Sequence, residues 1–318
     1  MLSLFVLPRK GLYQLTLCKN CGHIFECPNC DAKLITYRGT NQILELFCNQ
    51  CQTYFEYPNQ CPKCASSNII SKYGAIEQLV ENLIFLGRKV YRFDQAKNVK
   101  KIQSPKEIYQ KKEITDFVTT RLFDPSIKYD EFDRIVFVNA ENLLANPDYL
   151  VHEDTTKSLG EVFLRVSPET EIIFDAPNEE VPMIKEILKL GHSHLQNQTI
   201  FEWYYHFLQK ESQLRQKFGL PPYKNVLLLT TQEKNRQNAL QKLIQLRIEL
   251  KKYLNQLPDI EISNPYPARF FRRKNMYSYH LLVKYPRQYP DFPKLREIII
   301  DLSQTYQIQV RLNPRHLF

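Results

Sequence analysis

Eight cysteines, grouped in four pairs, lie between positions 18 and 64 of this 318-residue chain, and the rest of the sequence contains none. Each pair has the spacing Cys-x2-Cys, which presents two thiolates on one tight turn, here called a knuckle. The pairs are Cys18 and Cys21, Cys27 and Cys30, Cys48 and Cys51, and Cys61 and Cys64. Because two knuckles complete a tetrahedral shell of four sulfurs, the eight cysteines predict two closed zinc sites with a structural role.

The sequence around the cysteines favours metal over disulfides. Met1 to Leu7 is a short apolar run that Pro8, Arg9 and Lys10 interrupt, which is not the pattern of a secretory signal. No stretch reaches the roughly 18 apolar residues of a membrane helix. We therefore expect a cytoplasmic protein without membrane contact, whose thiols stay reduced. A redox-active Cys-x2-Cys would require one pair rather than four.

The cysteine block is too small to fold without help. A loop-rich segment of about 50 residues has little core, so metal binding would supply its folding free energy. Four knuckles can pair in three ways, and the spacing alone does not choose among them. His23 lies between two knuckles. We expect it to be a surface residue, because the cysteines already complete both shells.

The remaining sequence predicts a parallel α/β sheet followed by a smaller α+β unit. Short β-rich runs separated by helical patterns are typical of a parallel sheet covered by helices. The predicted strands are 2–7, 89–93, 134–139 and 171–175, and the predicted helices are 76–86, 182–190 and 200–218, with Gly219 ending the last. A polar, lysine-rich stretch at 95–113 predicts a loop or an exposed helix.

A second unit is expected to begin at Tyr223. Its predicted order is βαββαβ, a two-layer α+β arrangement, with strands at 226–230, 260–263, 277–285 and 307–312 and helices at 237–254 and 293–304. The expected domains are 1–12 with 71–222 for the parallel α/β unit, 13–70 for a zinc-ribbon-like insertion, and 223–318 for the α+β unit.

Scarce glycine argues against a glycine-cradled nucleotide site. The chain has eight glycines, and no two are closer than 11 positions. A P-loop requires two glycines five apart, and a dinucleotide-binding turn requires them two and three apart. We therefore expect no nucleotide to bind to this chain alone.

A basic, aromatic segment near the C-terminus predicts contact with nucleic acid. Residues 265–290 contain six basic residues and no acid, in a chain of net charge +9. Single-stranded nucleic acid requires cations for its phosphates and flat rings for its bases. The candidate phosphate contacts are Arg269, Arg272, Arg273 and Lys274, and the rings expected to stack on bases or to pack the site are Phe270, Phe271, Tyr277 and Tyr279. The alternative is a solvated Arg-Lys loop beside a strand that uses alternate residues of 277–285 as core.

The cysteine block resembles the zinc region of the bacterial replication-restart helicase family PriA, also called primosomal protein N′. The resemblance rests on the segments LPRKGLYQLTLCKNCGHIFECPNCDAKL and LFCNQCQTYFEYPNQCPKC. In that family the knuckles are nested. The resemblance thus implies one zinc on Cys18, Cys21, Cys61 and Cys64, and a second on Cys27, Cys30, Cys48 and Cys51. It also implies forked DNA, primosome proteins and single-stranded-DNA-binding protein as partners.

Further matches follow in family order over essentially the whole chain, with the middle weakest. They are Gly74, Glu77, Ala140, Leu144, Pro147, Asp148, Tyr149, Glu211, Arg215, Leu220 to Tyr223, Asn264 to Ala268, Tyr279 and Asn313 to Phe318. They imply the family's second helicase lobe and C-terminal domain.

The departures from the family concern its motor. The sequence opens at Met1 where the second lobe would begin, so the P-loop lobe and acidic box are expected to be absent. The family's Asp-Ala-Asp run is replaced by Asn139-Ala140-Glu141, and its glycine-arginine motif by Phe163-Leu164-Arg165-Val166. That motif supplies the arginine that stabilises the transferring phosphate, so we expect a degenerate lobe without ATPase or helicase activity. Arg165 itself is expected to be a surface or strand residue.

The sequence therefore favours a zinc-stabilised DNA-binding protein of replication restart or primosome assembly. Two alternatives remain open. One is a protein-docking scaffold whose zinc knuckles are the partner surface. The other is half of a split helicase whose P-loop lobe is a separate chain, although the missing arginine motif weighs against it.

Overall fold

A computed structural model describes residues 1–39, 42–93, 104–112, 114–144, 148–176, 197–254 and 257–317. The strands are β1 (Ser3–Val6), β2 (Tyr13–Cys18), β3 (Ile35–Arg38), β4 (Leu44–Phe47), β5 (Tyr54–Glu56), β6 (Ile69–Gly74), β7 (Val90–Arg92), β8 (Asp116–Thr119), β9 (Arg134–Phe137), β10 (Glu171–Phe174), β11 (Lys224–Glu233), β12 (Glu261–Ile262), β13 (Tyr266–Arg273), β14 (Met276–Pro286) and β15 (Gln309–Leu312). The helices are α1 (Ile76–Phe85), α2 (Pro105–Lys112), α3 (Val151–Phe163), α4 (Asn197–Lys217), α5 (Arg236–Leu254) and α6 (Phe292–Thr305). The helix predicted at 182–190 lies outside the described residues, as do Pro147, Phe318 and residues 95–103 of the predicted lysine-rich stretch.

The predicted parallel sheet is confirmed. Five strands lie in the order β10-β9-β1-β8-β7, and every neighbouring pair is parallel. Apolar side chains alternate across β1, with Leu4 in the core under α3 and Phe5 in the core under α1. Each fully buried side chain of this kind contributes about 2 kcal/mol to folding. This part, residues 1–12 and 75–222 where described, is called the parallel-sheet unit below.

Two elements of this unit were not predicted. Strand β8 is fully buried, and its first residue, Asp116, accepts hydrogen bonds from Arg88 Nε at 2.6 Å and Arg88 Nη2 at 2.8 Å. A buried carboxylate is tolerated only with such a partner, which the sequence does not reveal. Helix α3 was also missed. Arg165, just beyond it, is partly exposed and pairs with Glu161, as expected for a surface residue.

The cysteine block is an insertion between β1 and α1. Its antiparallel sheet has the order β5-β4-β3-β2-β6, and the last strand runs to Gly74. The insertion closes where it leaves the parallel-sheet unit, because Ala75 N donates to Leu12 O at 2.9 Å and Ile76 N to Arg9 O at 3.1 Å. Residues 13–74 are called the cysteine module below.

The C-terminal unit, residues 223–317 where described, has one strand more than predicted. Its strand order is β12-β14-β11-β15, and β13 also pairs with β14. The predicted βαββαβ order therefore lacked one strand, β13, because its run of basic residues is not a pattern typical of a strand. Lys274 and Asn275 form the two-residue turn between β13 and β14, with φ of 50° and 60°. This geometry favours a tight hairpin.

Hydrogen bonds join the C-terminal segment to the parallel-sheet unit. Asp148 accepts from His316 Nδ1 at 2.7 Å and from Leu317 N at 3.3 Å. Tyr149 donates its hydroxyl to Pro314 O at 3.1 Å.

Gly219, predicted to end α4, has φ of 56°, the left-handed value typical of a helix C-terminus. None of the helices in the described ranges is long and apolar enough to cross a membrane.

Candidate metal centres and nucleic-acid interface

All four knuckles have the same backbone hydrogen bonds. The N–H of each first cysteine donates to the carbonyl five residues later. The distances are 2.9 Å for Cys18 to His23, 2.7 Å for Cys27 to Ala32, 3.0 Å for Cys48 to Thr53 and 2.8 Å for Cys61 to Ser66. A second hydrogen bond returns to the carbonyl of each first cysteine from Gly22, Asp31, Gln52 and Ala65, at 2.8 to 2.9 Å. The four Cys-x2-Cys pairs thus share the same backbone structure as well as the same spacing.

The residue after each second cysteine adopts the left-handed conformation. The φ values are 72° for Gly22, 55° for Asp31, 60° for Gln52 and 53° for Ala65. Glycine adopts this conformation freely, whereas each of the other three costs about 1 kcal/mol. The hydrogen bonds of the knuckle, and the grouping of its sulfurs, hold these residues in place.

The structure brings the eight sulfurs into two groups. In each group the four Sγ atoms all lie within 4.8 Å of one another. One group is Cys18, Cys21, Cys61 and Cys64, here cluster 1; the other is Cys27, Cys30, Cys48 and Cys51, here cluster 2. This is the nested grouping that the resemblance to the replication-restart family implies.

The distances between sulfurs fit a metal better than a disulfide. The Sγ atoms of Cys18 and Cys64, Cys21 and Cys61, and Cys27 and Cys51 are each 3.6 Å apart. A tetrahedral shell with Zn–S bonds of about 2.3 Å has sulfurs about 3.8 Å apart, whereas a disulfide bond is about 2.05 Å long. All eight cysteines are free. The two groups are therefore compatible with structural zinc.

Burial makes a bare cluster of thiolates unfavourable. In cluster 2, burial, together with the neighbouring Cys48 and Cys51, raises the pKa of Cys27 to about 12. In cluster 1, the main-chain N–H of Cys21 donates to the sulfur of Cys18 and lowers its pKa to about 7. Four sulfurs this close can all be ionised only when a cation offsets their charge, as a divalent metal does.

His23 does not point at either cluster as a ligand. Its main-chain carbonyl accepts from Cys18, and its ring stacks edge-on against Phe25 at 5.1 Å. The side chain is half-buried. Phe25, Leu34 and Leu46 form a small apolar core against the cysteines of cluster 2.

The structure divides the eight predicted DNA contacts into exposed and packed residues. Tyr279 is only 4% exposed, and Arg236 Nε donates to its hydroxyl at 3.3 Å. The ring of Phe271 packs edge-on against Tyr277 at 5.4 Å and Tyr279 at 5.1 Å. Of the two roles expected for these rings, the structure gives Phe271 and Tyr279 the packing role.

An irregularity in β13 exposes two neighbouring residues on the same strand. The register with β14 shifts between Pro267 and Arg272. Successive residues of a regular strand face opposite sides, but a bulge re-aims them. Arg269 and Phe270 are both exposed, Phe270 to 47%, and the Arg269 guanidinium lies 5.6 Å from the Phe270 ring centre.

Arg272, Arg273 and Lys274 have different surroundings although they are consecutive. Arg272 is half-buried and pairs with Asp31 of the cysteine module at 2.9 Å, whereas the side chains of Arg273 and Lys274 are exposed. The sequence gave no sign of this difference, because the partner of Arg272 lies 241 positions away.

Residues of all three units line one crevice of about 760 Å³. Arg9 comes from the parallel-sheet unit just after β1, Lys33 from the cysteine module and Arg269 from β13. Tyr73 also lines it; its φ of 61° is unusual for a bulky residue. Sequence reasoning did not single out Arg9, Lys33 and Tyr73 as site residues, although Arg9 and Lys33 lie in a segment that carries the family resemblance. Their common feature is their position in space.

A family model matches the C-terminal part of the chain. Residues 216–315 match the family described as the primosomal protein N C-terminal domain. This match covers the last two residues of α4 and nearly all of the C-terminal unit.

The relatives of the whole chain are replication restart proteins named PriA. The protein of Thermotoga maritima is 25% identical over 297 residues, covering 92% of this chain and 37% of its own length. Those of Borreliella burgdorferi and Haemophilus influenzae are 26% and 24% identical, covering 88% and 98% of this chain and 41% of each relative. The chain thus resembles PriA over most of its sequence and spans about two fifths of the length of these relatives.

Proposed function

We propose that this chain is a zinc-stabilised DNA-binding protein that acts in replication restart or primosome assembly. The similarity to replication restart proteins supports the process, and the crevice supports DNA binding. Three cations from three separate units, Arg9, Lys33 and Arg269, line one crevice together with one acid, Glu141. This convergence is the observation that carries the proposal, since a phosphate backbone requires clustered cations.

In this proposal each cluster holds one Zn²⁺ through its four cysteines. The ion supplies folding free energy and no chemistry, because four protein sulfurs leave no open position. Its role is to fix the knuckles, and with them the position of Lys33, which follows the second knuckle by three residues.

We propose that single-stranded or forked DNA lies along the crevice and the exposed side of β13. Arg9, Lys33 and Arg269 would contact phosphates, together with the exposed Arg273 and Lys274. Phe270 would stack on a base, since its ring is exposed on the same strand as Arg269. Primosome proteins and single-stranded-DNA-binding protein would be the partners, in the cytoplasm.

The 318 residues alone are proposed not to hydrolyse ATP. No two of their glycines are close enough for a phosphate-binding loop. The neutral Asn139 stands where the family that this chain resembles has the first aspartate of its Asp-Ala-Asp run, and no glycine-arginine motif surrounds Arg165.

A titration of the full chain with fluorescent forked and single-stranded DNA at two salt concentrations tests the proposal. We expect affinity to fall steeply with salt, because each neutralised phosphate releases a counterion. Replacing Lys33 and Arg269 together with alanine should weaken binding roughly tenfold or more and flatten the salt dependence. Arg296→Ala is the matched control, since Arg296 is exposed on α6 and does not line the crevice.

Three outcomes separate the alternatives. Undetectable DNA binding, with partners retained after nuclease treatment, would support a protein-docking scaffold instead. ATPase activity that arises only on mixing with a P-loop chain would support half of a split helicase. Equal losses in the double variant and in Arg296→Ala would show that DNA does not lie along the crevice.

A further inference from the structure

The hairpin between β13 and β14 contacts the knuckle of Cys27 and Cys30 through one arginine side chain. Arg272 Nη1 donates to Asp31 Oδ1 at 2.9 Å, and Arg272 Nη2 donates to the carbonyl of Pro28. Asn275 Oδ1 accepts from the same guanidinium at 3.1 Å, and the Tyr277 ring centre lies 5.9 Å from it. The guanidinium is thus held between its own hairpin and both ends of the knuckle.

The backbone of the same turn reaches the knuckle as well. Asn275 N donates to Asn29 O at 3.2 Å. Lys274 and Asn275 both have positive φ, as the two central residues of a tight hairpin turn do. The C-terminal unit therefore contacts the Cys27–Cys30 knuckle through its main chain as well as through Arg272.

We infer that the β13–β14 hairpin is an outer support of the second cysteine cluster, with Arg272 as a positioning residue rather than a contact to DNA. The inference rests on the proposed binding of zinc by cluster 2. Partners of metal ligands orient those ligands, and losing one typically costs roughly 10- to 100-fold in metal affinity. Arg272 acts through the Pro28–Asp31 turn, and Asn275 N supports the same turn through the carbonyl of Asn29.

No matching contact with cluster 1 is found among the described residues of the C-terminal unit. The hydrogen bonds between this unit and the knuckles run through Pro28, Asn29 and Asp31. The hairpin should therefore protect one cluster and leave the other unchanged.

Release of zinc from the full-length protein to a chromophoric chelator tests this inference. Wild type should release two equivalents. Arg272→Ala should release one of them roughly tenfold faster, and the other at the wild-type rate. Arg273→Ala is the matched control: it removes the neighbouring exposed arginine, so it should leave both release rates unchanged and weaken DNA binding instead.

Thiol alkylation mapped by peptide mass spectrometry identifies the cluster that is affected. In Arg272→Ala, labelling of Cys27, Cys30, Cys48 and Cys51 should accelerate, while labelling of Cys18, Cys21, Cys61 and Cys64 should not. General loss of folding would accelerate all eight, so the pattern separates positioning from overall instability.

Asp31→Asn provides a second, milder variant. Asparagine tolerates the left-handed conformation of Asp31 and still accepts a hydrogen bond, but it lacks the charge. If Arg272→Ala does not fold, Asp31→Asn decides the question and should show a smaller acceleration at cluster 2 alone.

Unchanged release and labelling in these variants, with two zinc ions bound to wild type, would overturn the inference alone. A wild-type protein purified without zinc would instead overturn the metal assignment, and the inference with it.

Discussion

Clusters 1 and 2 have the same ligands and the same knuckle geometry, yet they differ in their surroundings. In cluster 1, Cys21 and Cys64 are exposed; in cluster 2, three cysteines are buried and Cys51 is half-buried. Cluster 2 also lies against Phe25 and the hairpin of the C-terminal unit. The same Cys-x2-Cys motif thus forms cluster 1 at the surface of the cysteine module and cluster 2 at the junction of that module with the C-terminal unit.

This difference assigns the clusters different roles. Cluster 1 joins the two ends of the cysteine module, since Cys18 ends β2 and Cys61 and Cys64 precede β6. Cluster 2 joins the middle of the module to a strand more than 240 positions away. Loss of the first should open the module, and loss of the second should also release the C-terminal hairpin.

The largest expected effect comes from removing one ligand from each cluster. Cys48→Ser and Cys64→Ser should each lose one zinc equivalent, because a four-sulfur shell does not retain zinc well with three. Cys48 is fully buried, so its variant should unfold at a clearly lower temperature than the Cys64 variant. Metal content, thermal unfolding and hydrogen exchange measure this.

Hydrogen exchange makes the contrast specific. Amides at 272–276 should exchange faster in Cys48→Ser and stay protected in Cys64→Ser. Equal exchange of the hairpin in both variants would contradict the different roles of the clusters.

A loss of stability of intermediate size is expected at acidic pH, because protonation of His280 destabilises the folded C-terminal unit. Burial, together with the nearby charge of Arg311, lowers the pKa of His280 to about 4. His280 Nδ1 lies 2.9 Å from Thr230 Oγ1. The unfolded chain takes up this proton below pH 6.5 or so and the folded chain only below about pH 4. Stability is therefore present above that range and falls, by about 3 kcal/mol, between pH 6.5 and 4.

Denaturant unfolding of wild type and His280→Gln from pH 7 to pH 4 measures this pH-dependent change in the free energy of unfolding. The variant should lose less stability than wild type over that range, and the pH dependence of cluster 1 labelling should be the same in both. Parallel pH curves for unfolding of wild type and variant would show that His280 does not carry the effect.

The smallest effect is expected at the left-handed residue of a knuckle. Ala65→Gly should raise stability by about 0.5 kcal/mol, since relief of the left-handed strain exceeds the entropy cost of glycine. Gln52→Gly should gain a similar amount at cluster 2 if the knuckle geometry is local. Chemical unfolding of the zinc-loaded proteins measures both.

Ala32→Gly is the control for this pair. Ala32 follows a knuckle but does not have positive φ, so glycine there should lower stability. A gain in Ala32→Gly, or a loss in both knuckle variants, would show that the left-handed residues are not strained.

Prediction from sequence succeeded where the signal is local and periodic. The parallel strands β1, β9 and β10 and the helices α1 and α5 follow from apolar spacing, within a few residues at their ends. Strand β8 was missed because it is four residues long and begins with Asp116, whose burial depends on Arg88. Strand β13 was missed because its basic residues suggest solvent, whereas pairing with β14 fixes their backbone.

The same division applies to the candidate sites. The eight cysteines could be named from their spacing, but spacing left three possible pairings. The basic segment was visible as composition, but composition could not separate Arg269 and Phe270, which are exposed, from Tyr279, which is in the core. Nothing in the sequence linked Arg9 and Lys33 to them.

The sequence by itself determined the four knuckles, because each is built from hydrogen bonds that span at most five residues. Only the tertiary structure decided which knuckles meet, which cations share a crevice, and where Arg272 points. Those outcomes depend on contacts between distant residues, such as Arg272 with Asp31, and a short sequence window does not encode them. Packing of the three units brings these groups together, so four knuckles of the same local geometry form two clusters that differ in their burial and neighbours.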